Sequence, residues 1–235
     1  MKRKVSFFLI IGFIGLLAIL IGFLKPFIIP LSEGSFNAPT IVYIHGIIAF
    51  LWVLLFTIQS NFILTKRYKT HKTLGYLGVI IASGAAITIV PVGLYAVEKE
   101  LKIGLGETAI SGIIGNCTTA VMFGSLVFAG IYYRKKTNIH KRLILLSTIV
   151  LLWPAWFRFR HYFPSIERPD IWFAVVLADS LIIISWLWDK IANGKIHPVL
   201  LFVGTAIIFE HVLEVVMFDS KGWRIIAQKI YDILT

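Results

Sequence analysis

The sequence predicts an all-α integral membrane protein, a bundle of seven transmembrane helices followed by a short amphipathic helix. Three observations predict this class. The chain of 235 residues is 58% hydrophobic and only 15% charged, and its mean hydropathy of +0.85 lies far above that of soluble domains. Seven apolar runs also approach the ~20 residues that a helix needs to cross a bilayer. The expected partner is therefore the lipid bilayer.

The basic charge of the chain belongs to its membrane topology. A net charge of +11 could indicate nucleic-acid binding. The lysines and arginines, however, stand in short clusters between the apolar runs, which is the pattern of membrane loops. Nucleic acid is not an expected partner. The single cysteine, Cys117, excludes an internal disulfide and Cys-rich metal motifs.

The first run, Val5 to Phe23, is predicted to be a membrane helix. It follows Lys2, Arg3 and Lys4, so it begins like a signal peptide. Its 19 residues are too many for that interpretation, and no small-residue cleavage site precedes Lys25. We therefore count it as the first transmembrane segment.

Six further runs complete one membrane domain over residues 1–218. The short loops between them force neighbouring helices to be antiparallel. The fifth run is short, and Asn138 to Arg142 is expected to add a polar first turn. The six runs are Thr40 to Ile58, Leu74 to Tyr95, Ala109 to Tyr132, Leu143 to Trp156, Ile171 to Trp188 and Pro198 to Phe218.

Residues 219–235 are predicted to form the short amphipathic helix. Trp223, Ile226, Ile230 and Ile233 recur at helical spacing, while charged residues lie off that stripe. Such a helix either lies along the outer membrane surface or docks as a cap on the bundle.

Charge counting predicts which ends of the chain lie inside. With the N-terminus inside, the inner segments hold fourteen lysines and arginines and the outer segments hold nine. Cytoplasmic loops carry the excess of these residues. We therefore expect the N-terminus inside and the C-terminus outside.

The last run carries the strongest sign of a functional site. Glu210, His211 and Glu214 interrupt an apolar stretch and fall within a roughly 100° arc of one helix face. Each is costly in lipid unless it faces protein, water or a metal, so intramembrane ionisable residues are functional candidates.

Other polar residues are expected at a similar depth. His45 lies ~8 Å, Asn116 ~10 Å and Asp179 ~12 Å below the outer ends of their helices, with His211 ~10 Å down its own. These positions predict a polar cavity in the outer half of the bilayer.

Two imidazoles with carboxylates suit zinc or iron. The leading hypothesis is a divalent metal on His45, His211 and Glu214, with Asp179 or Glu210 as a further ligand or proton acceptor. An open metal position would activate water. The structural alternative is that Arg158 or Arg160 neutralises Asp179 and a glutamate.

A second hypothesis is a haem b electron carrier. Two histidines on different helices at one depth can hold such a haem axially. His71 and His140, at the inner starts of the third and fifth helices, form one possible pair, and His45 with His211 forms another. The competing interpretation of His71 and His140 is that they touch solvent at the membrane surface.

A third hypothesis needs no cofactor. Asp179, Glu210 and Glu214 would act as titrating groups of a proton relay or a proton-coupled transporter. A non-catalytic membrane protein, in which the buried charges are purely structural, also remains open.

Short motifs resemble a group of uncharacterised bacterial multi-pass membrane proteins. The run from His140 to Ser147, followed by Pro154 and Arg158, is similar to a motif of that group. His45 with Trp52 and Gln59, and His71 with Gly75, resemble it too. The resemblance implies a multi-pass protein of the bacterial inner (plasma) membrane and no particular activity.

The predicted architecture also resembles adiponectin-receptor-like and alkaline-ceramidase-like proteins. Those proteins have seven helices and bind zinc through histidines of the second and last helices, which would correspond here to His45 and His211. Their last helix supplies two histidines, whereas this one supplies His211 with Glu210 and Glu214. Zinc-dependent hydrolysis is therefore an analogy.

Overall fold

The computed structural model describes residues 6–235, which form helices joined by short loops and contain no strand. Seven of the helices are long and apolar enough to cross a membrane, so the chain is a multi-pass helical membrane protein. An eighth helix, α8 (Lys221–Leu234), follows them. The seven are α1 (Phe7–Ser32), α2 (Thr40–Leu64), α3 (Tyr68–Lys102), α4 (Glu107–Tyr132), α5 (Thr137–His161), α6 (Asp170–Asn193) and α7 (Pro198–Met217).

The seven predicted spans are confirmed, but most helices extend beyond the apolar runs. Helix α3 has 35 residues and reaches well past the predicted Leu74 to Tyr95. At ~1.5 Å per residue it is about 50 Å long, which exceeds the bilayer core. Hydropathy marks only the part of a helix that lies in hydrocarbon, and polar residues continue the helix beyond it. Lys2, Arg3, Lys4 and the predicted start at Val5 lie outside the described residues.

Helix α5 is the centre of the bundle. It packs against α1, α2, α4, α6 and α7, and 61% of its most apolar window is buried, against 22–39% for the other spans. The exposed side chains of the outer helices are largely aliphatic or aromatic, such as Ile80, Phe128 and Phe202. A bundle whose outward faces are apolar is suited to lipid as its solvent.

Small residues let the helices approach α5 closely. Gly22 of α1 lies against the backbone of Ala155 in α5, where an added Cβ would collide with the carbonyl group. Such small-residue contacts are typical of membrane helices. In lipid the hydrophobic effect does not drive helices together, so their association depends on close van der Waals packing.

Two sides of the bundle can be defined by the loops. The N-terminal side carries loops 65–67, 133–136 and 194–197, and the C-terminal side carries loops 33–39, 103–106 and 162–169 together with α8. On the N-terminal side a buried ion pair joins Arg142 of α5 to Asp189 of α6. Asp189 also accepts hydrogen bonds from Asn193 at 2.6 Å and from the backbone N–H of His197 at 2.7 Å. This network fixes the loop that leads into α7.

Candidate functional site

A buried histidine–carboxylate pair joins the last two spans. Nδ1 of His211 in α7 lies 2.7 Å from Oδ1 of Asp179 in α6, and both residues are only 4% exposed. The ring of Trp153, from the central helix α5, has its centroid 6.2 Å from that of the His211 ring. The pair is therefore enclosed by three spans.

Two glutamates of α7 complete a cluster with this pair. Oε2 of Glu210 lies 3.9 Å from Nε2 of His211. The Glu214 carboxylate lies against Gly115 of α4, at a point where a Cβ on that glycine would overlap it. Helical spacing puts Glu210, His211 and Glu214 on adjoining turns of α7, and the neighbouring spans supply the rest. We refer to Asp179, Glu210, His211 and Glu214 as the acidic cluster.

Several buried polar atoms around His211 have no hydrogen-bond partner within residues 6–235. They are Oδ2 of Asp179, Oε2 of Glu210 and Nε1 of Trp153. Buried polar atoms are normally paired, so an orphaned group calls for an explanation such as a proton, a water molecule or a ligand. Three of them beside one imidazole mark the acidic cluster as a site rather than a packing contact.

Arginine does not neutralise the acidic cluster. Arg158 donates to the carbonyl of Pro154 at 2.8 Å and lies over the Phe23 ring. Arg160 donates to the carbonyl of Phe157 and covers the ring of the same residue. Among the described residues no lysine or arginine forms an ion pair with Asp179, Glu210 or Glu214. The pairing expected from the structural alternative is therefore not the one the chain adopts.

His45 bonds elsewhere. Its Nδ1 lies 2.8 Å from the hydroxyl of Thr88 in α3, because α2 packs mainly against α1 and α3. Sequence reasoning placed His45 at the depth of His211, but depth does not determine which neighbour a helix face meets. Within residues 6–235 no three histidine, cysteine, aspartate or glutamate side chains are arranged to hold a metal ion. The zinc or iron centre on His45, Asp179, Glu210, His211 and Glu214 stays a prediction.

Asn116 belongs to the helix interface. Its amide donates to the carbonyl of Gly112 in its own helix at 2.9 Å, and its side chain packs on Gly93 of α3. It thus contributes to the contact between α3 and α4 and makes no hydrogen bond to the acidic cluster.

The histidines of the N-terminal side do meet. The rings of His71 in α3 and His140 in α5 have centroids 6.4 Å apart and planes at 80°. Both rings are half-buried. His197, in contrast, accepts a hydrogen bond from the N–H of Val199 and caps the start of α7. His71 and His140 thus lie side by side, whereas His197 has a structural role as a helix cap.

Comparisons with known protein families, with curated proteins and with solved structures find no match to this chain. The resemblances noted in the sequence are therefore carried by short motifs and by architecture alone. A function has to be argued from the geometry of the two histidine-containing regions.

Proposed function

We propose that this protein is a proton relay of the bacterial plasma membrane, with its N-terminus inside and its C-terminus outside. The acidic cluster would bind protons and pass them on, either directly or in step with a transported solute. The observation that carries the proposal is an imidazole that lies between the carboxylates of Asp179 and Glu210, with Glu214 one turn further along the same helix. Among the described residues these carboxylates have no arginine or lysine ion-pair partner.

Electrostatics supports proton binding at this cluster. Two like charges 4 Å apart repel by about 4 kcal/mol at an effective dielectric constant near 20. Because the cluster holds three carboxylates and a single imidazole, full ionisation would leave an excess of negative charge in an apolar bundle. Such a cluster retains protons and shares them among its members, as adjacent carboxylates do.

The geometry of His211 supports transfer as well as binding. Its two ring nitrogens face different carboxylates, Nδ1 toward Asp179 and Nε2 toward Glu210. An imidazole can accept a proton on one nitrogen and release another from the opposite one. Glu214 lies one helical turn closer to the C-terminal side, which gives a route from that side through Glu214 and Glu210 to His211 and Asp179.

Metal-dependent hydrolysis receives less support. The hypothesis depends on His45, whose ring nitrogen is bonded to Thr88. The remaining members of the acidic cluster supply one imidazole only, whereas zinc sites usually combine two or three nitrogen or sulfur ligands.

Proton flux into liposomes tests the proposal. Purified protein is reconstituted with a pH-sensitive dye inside, and a potassium potential drives protons inward. We expect wild-type protein to acidify the lumen, and Asp179→Asn or Glu214→Gln to slow this by about tenfold or more, a change of about 1.4 kcal/mol in barrier. Glu98→Gln is the matched control, because it removes an exposed carboxylate. Flux from wild-type protein equal to that of empty liposomes would refute the proposal.

Infrared spectroscopy provides a second measurement that does not depend on transport. A cluster that retains protons should show a protonated-carboxyl stretch at neutral pH. Glu210→Gln, Glu214→Gln and Asp179→Asn should each change this band, and Glu98→Gln should not. A spectrum without such a band, in protein that remains folded, would also contradict the proposal.

A further inference from the structure

We propose that His71 and His140 are the two axial ligands of one b-type haem on the N-terminal side of the bundle. This site is separate from the acidic cluster and does not depend on the function proposed for it. The inference starts from the placement of the two rings, which come from α3 and α5 and are 69 positions apart in sequence but adjacent in space.

The ring separation matches two imidazoles on one metal atom. A metal lies about 2 Å from each ligating nitrogen, and the ring centre lies about 1 Å behind that nitrogen, so opposed ligands have centroids about 6 Å apart. The centroids of His71 and His140 are 6.4 Å apart. Their planes are nearly perpendicular, at 80°, which still allows both rings to contain a common axis through the metal.

The hydrogen bonding of His140 prepares it as a ligand. Its Nδ1 lies 2.8 Å from the carbonyl oxygen of Gly130. Because a carbonyl only accepts, Nδ1 must carry the proton and donate it, which leaves the lone pair of Nε2 free. Metal-bound histidines almost always donate their other N–H in this way, and the bond fixes both tautomer and ring orientation.

His71 has a free nitrogen in a buried position. Its Nδ1 is buried without a hydrogen-bond partner within residues 6–235. The backbone around it is fixed, since the Gln59 amide of α2 donates to the His71 carbonyl at 3.1 Å. A polar ring nitrogen that is buried without a partner, on a backbone held in place by a neighbouring helix, points to a bound group.

The number of ligands favours haem over a bare ion. The two imidazoles have no third histidine, cysteine or carboxylate grouped with them among the described residues, so the metal must bring its remaining ligands with it. A porphyrin supplies four nitrogens in its plane and leaves two axial positions, which the two histidines would fill.

Space and charge near His71 also suit a porphyrin. One turn along α3, an added Cβ on Gly75 would meet only the Gln59 amide, at 3.9 Å. Both histidines are only half-buried. Lys69 and Lys72 are exposed on the same stretch of α3, where their charges complement the two propionates of a haem.

Absorption spectroscopy of purified full-length protein tests the site. The protein is produced in haem-replete cells, and spectra are recorded before and after reduction with dithionite. We expect a Soret band, a reduced b-type spectrum and one haem per chain. His71→Ala and His140→Ala should each lose the haem, whereas His45→Ala and His197→Ala should retain it.

Two additions separate haem binding from a folding defect. His71→Met keeps an axial ligand, so it should retain haem with a shifted spectrum. Asp179→Asn should keep the haem whatever its proton flux. Colourless wild-type protein, haem retained by both alanine variants, or equimolar zinc or copper in place of haem by elemental analysis would each overturn the assignment.

Discussion

Glu214 fits into the bundle because residue 115 has no side chain. The carboxylate rests on the backbone of α4, and even a methyl group at Gly115 would overlap it. A small residue here lets a carboxyl group lie between two spans without pushing them apart. Position 115 therefore controls where the last carboxylate of the acidic cluster is held.

Gly115→Ala should consequently displace Glu214. Inserting a methyl group into a packed position costs about 1–3 kcal/mol, so the variant should melt at a lower temperature in detergent and conduct protons more slowly. Gly46→Ala is the matched control, because an added Cβ there meets nothing within 4 Å and alanine favours a helix by about 1 kcal/mol. Equal melting temperatures and fluxes in the two variants would show that Gly115 has no special role.

The spacing of polar residues along a helix predicted part of the acidic cluster. Glu210, His211 and Glu214 are polar within an apolar run, so their shared face was evident. The proximity of Asp179 and His211 could also be predicted, because the two residues lie at a similar depth in consecutive helices. Gly115 and Trp153 carried no such signal, because a glycine or a tryptophan among apolar residues does not differ visibly from lipid-facing positions.

Helix α8 is fastened to the start of α4 by both polar and apolar contacts. Trp223 donates to the Ser111 carbonyl at 3.0 Å, and Ala227 is fully buried. Arg224 bonds Asp219 and Glu107. Of the predicted apolar stripe, Trp223 and Ile230 pack inward, while Ile226 and Ile233 stay exposed. The docked cap, one of the two sequence alternatives, is thus the observed arrangement.

Asp219 makes the docking of α8 sensitive to acid. Hydrogen bonds from Arg224, Thr108 and Ser111 lower the pKa of Asp219 to about 2. A depressed pKa contributes stability that is complete above the unfolded value of about 4 and is lost as the pH falls toward 2. The protection of residues 221–234 against hydrogen exchange, relative to the intrinsic rate at each pH, should therefore be high at neutral pH and fall within that acidic range.

Two variants distinguish this contact from a general effect of acid. Asp219→Asn should accelerate exchange in α8 already at pH 7, because it removes the charged partner of Arg224. Asp232→Asn should not, since Asp232 accepts a bond only from Gln228 within α8. Unchanged protection in Asp219→Asn would show that the other contacts of α8, such as the Trp223 hydrogen bond and the apolar packing, hold the helix without Asp219.

Across the whole molecule, the most buried span is also the span of lowest hydropathy. Helix α5 has the lowest hydropathy of the seven spans, 1.4, and is the most buried, whereas α1 has the highest, 3.0, and is 28% buried. Lipid is as apolar as any side chain, so the centre of a membrane bundle can hold polar residues that its rim cannot. Arg142, Ser147 and Thr148 of α5 are all buried.

The same contrast explains how much the sequence could predict. Length and hydropathy identified seven spans because both depend on the bilayer alone. Length and hydropathy do not predict which helices pack together. Arg142 was therefore expected only to belong to a polar first turn, and its ion pair with Asp189 was missed. His45 was likewise assigned to His211 on depth, while the packing of α2 directs it to Thr88.

Orientation of the whole bundle is a further prediction, argued from its charge. Reporters active on only one side of the membrane would be fused after Thr235 and after Lys135. Because Lys and Arg accumulate on the cytoplasmic side, the first fusion should report outside and the second inside. The opposite result from both fusions would show that the C-terminal side of the bundle, toward which Glu214 lies, faces the cytoplasm.

The unequal burial of the spans also bears on how the bundle could move. Helix α5 packs extensively against five other spans and cannot tilt without disturbing all of them, whereas α7 packs chiefly on α5 and α6 and is only 22% buried. Glu210, His211 and Glu214 all ride on this lightly held helix. A tilt of α7 relative to a fixed α5 is consequently the least costly motion that would expose the carboxylates to one side of the bilayer or the other. Gating would therefore involve mainly α7.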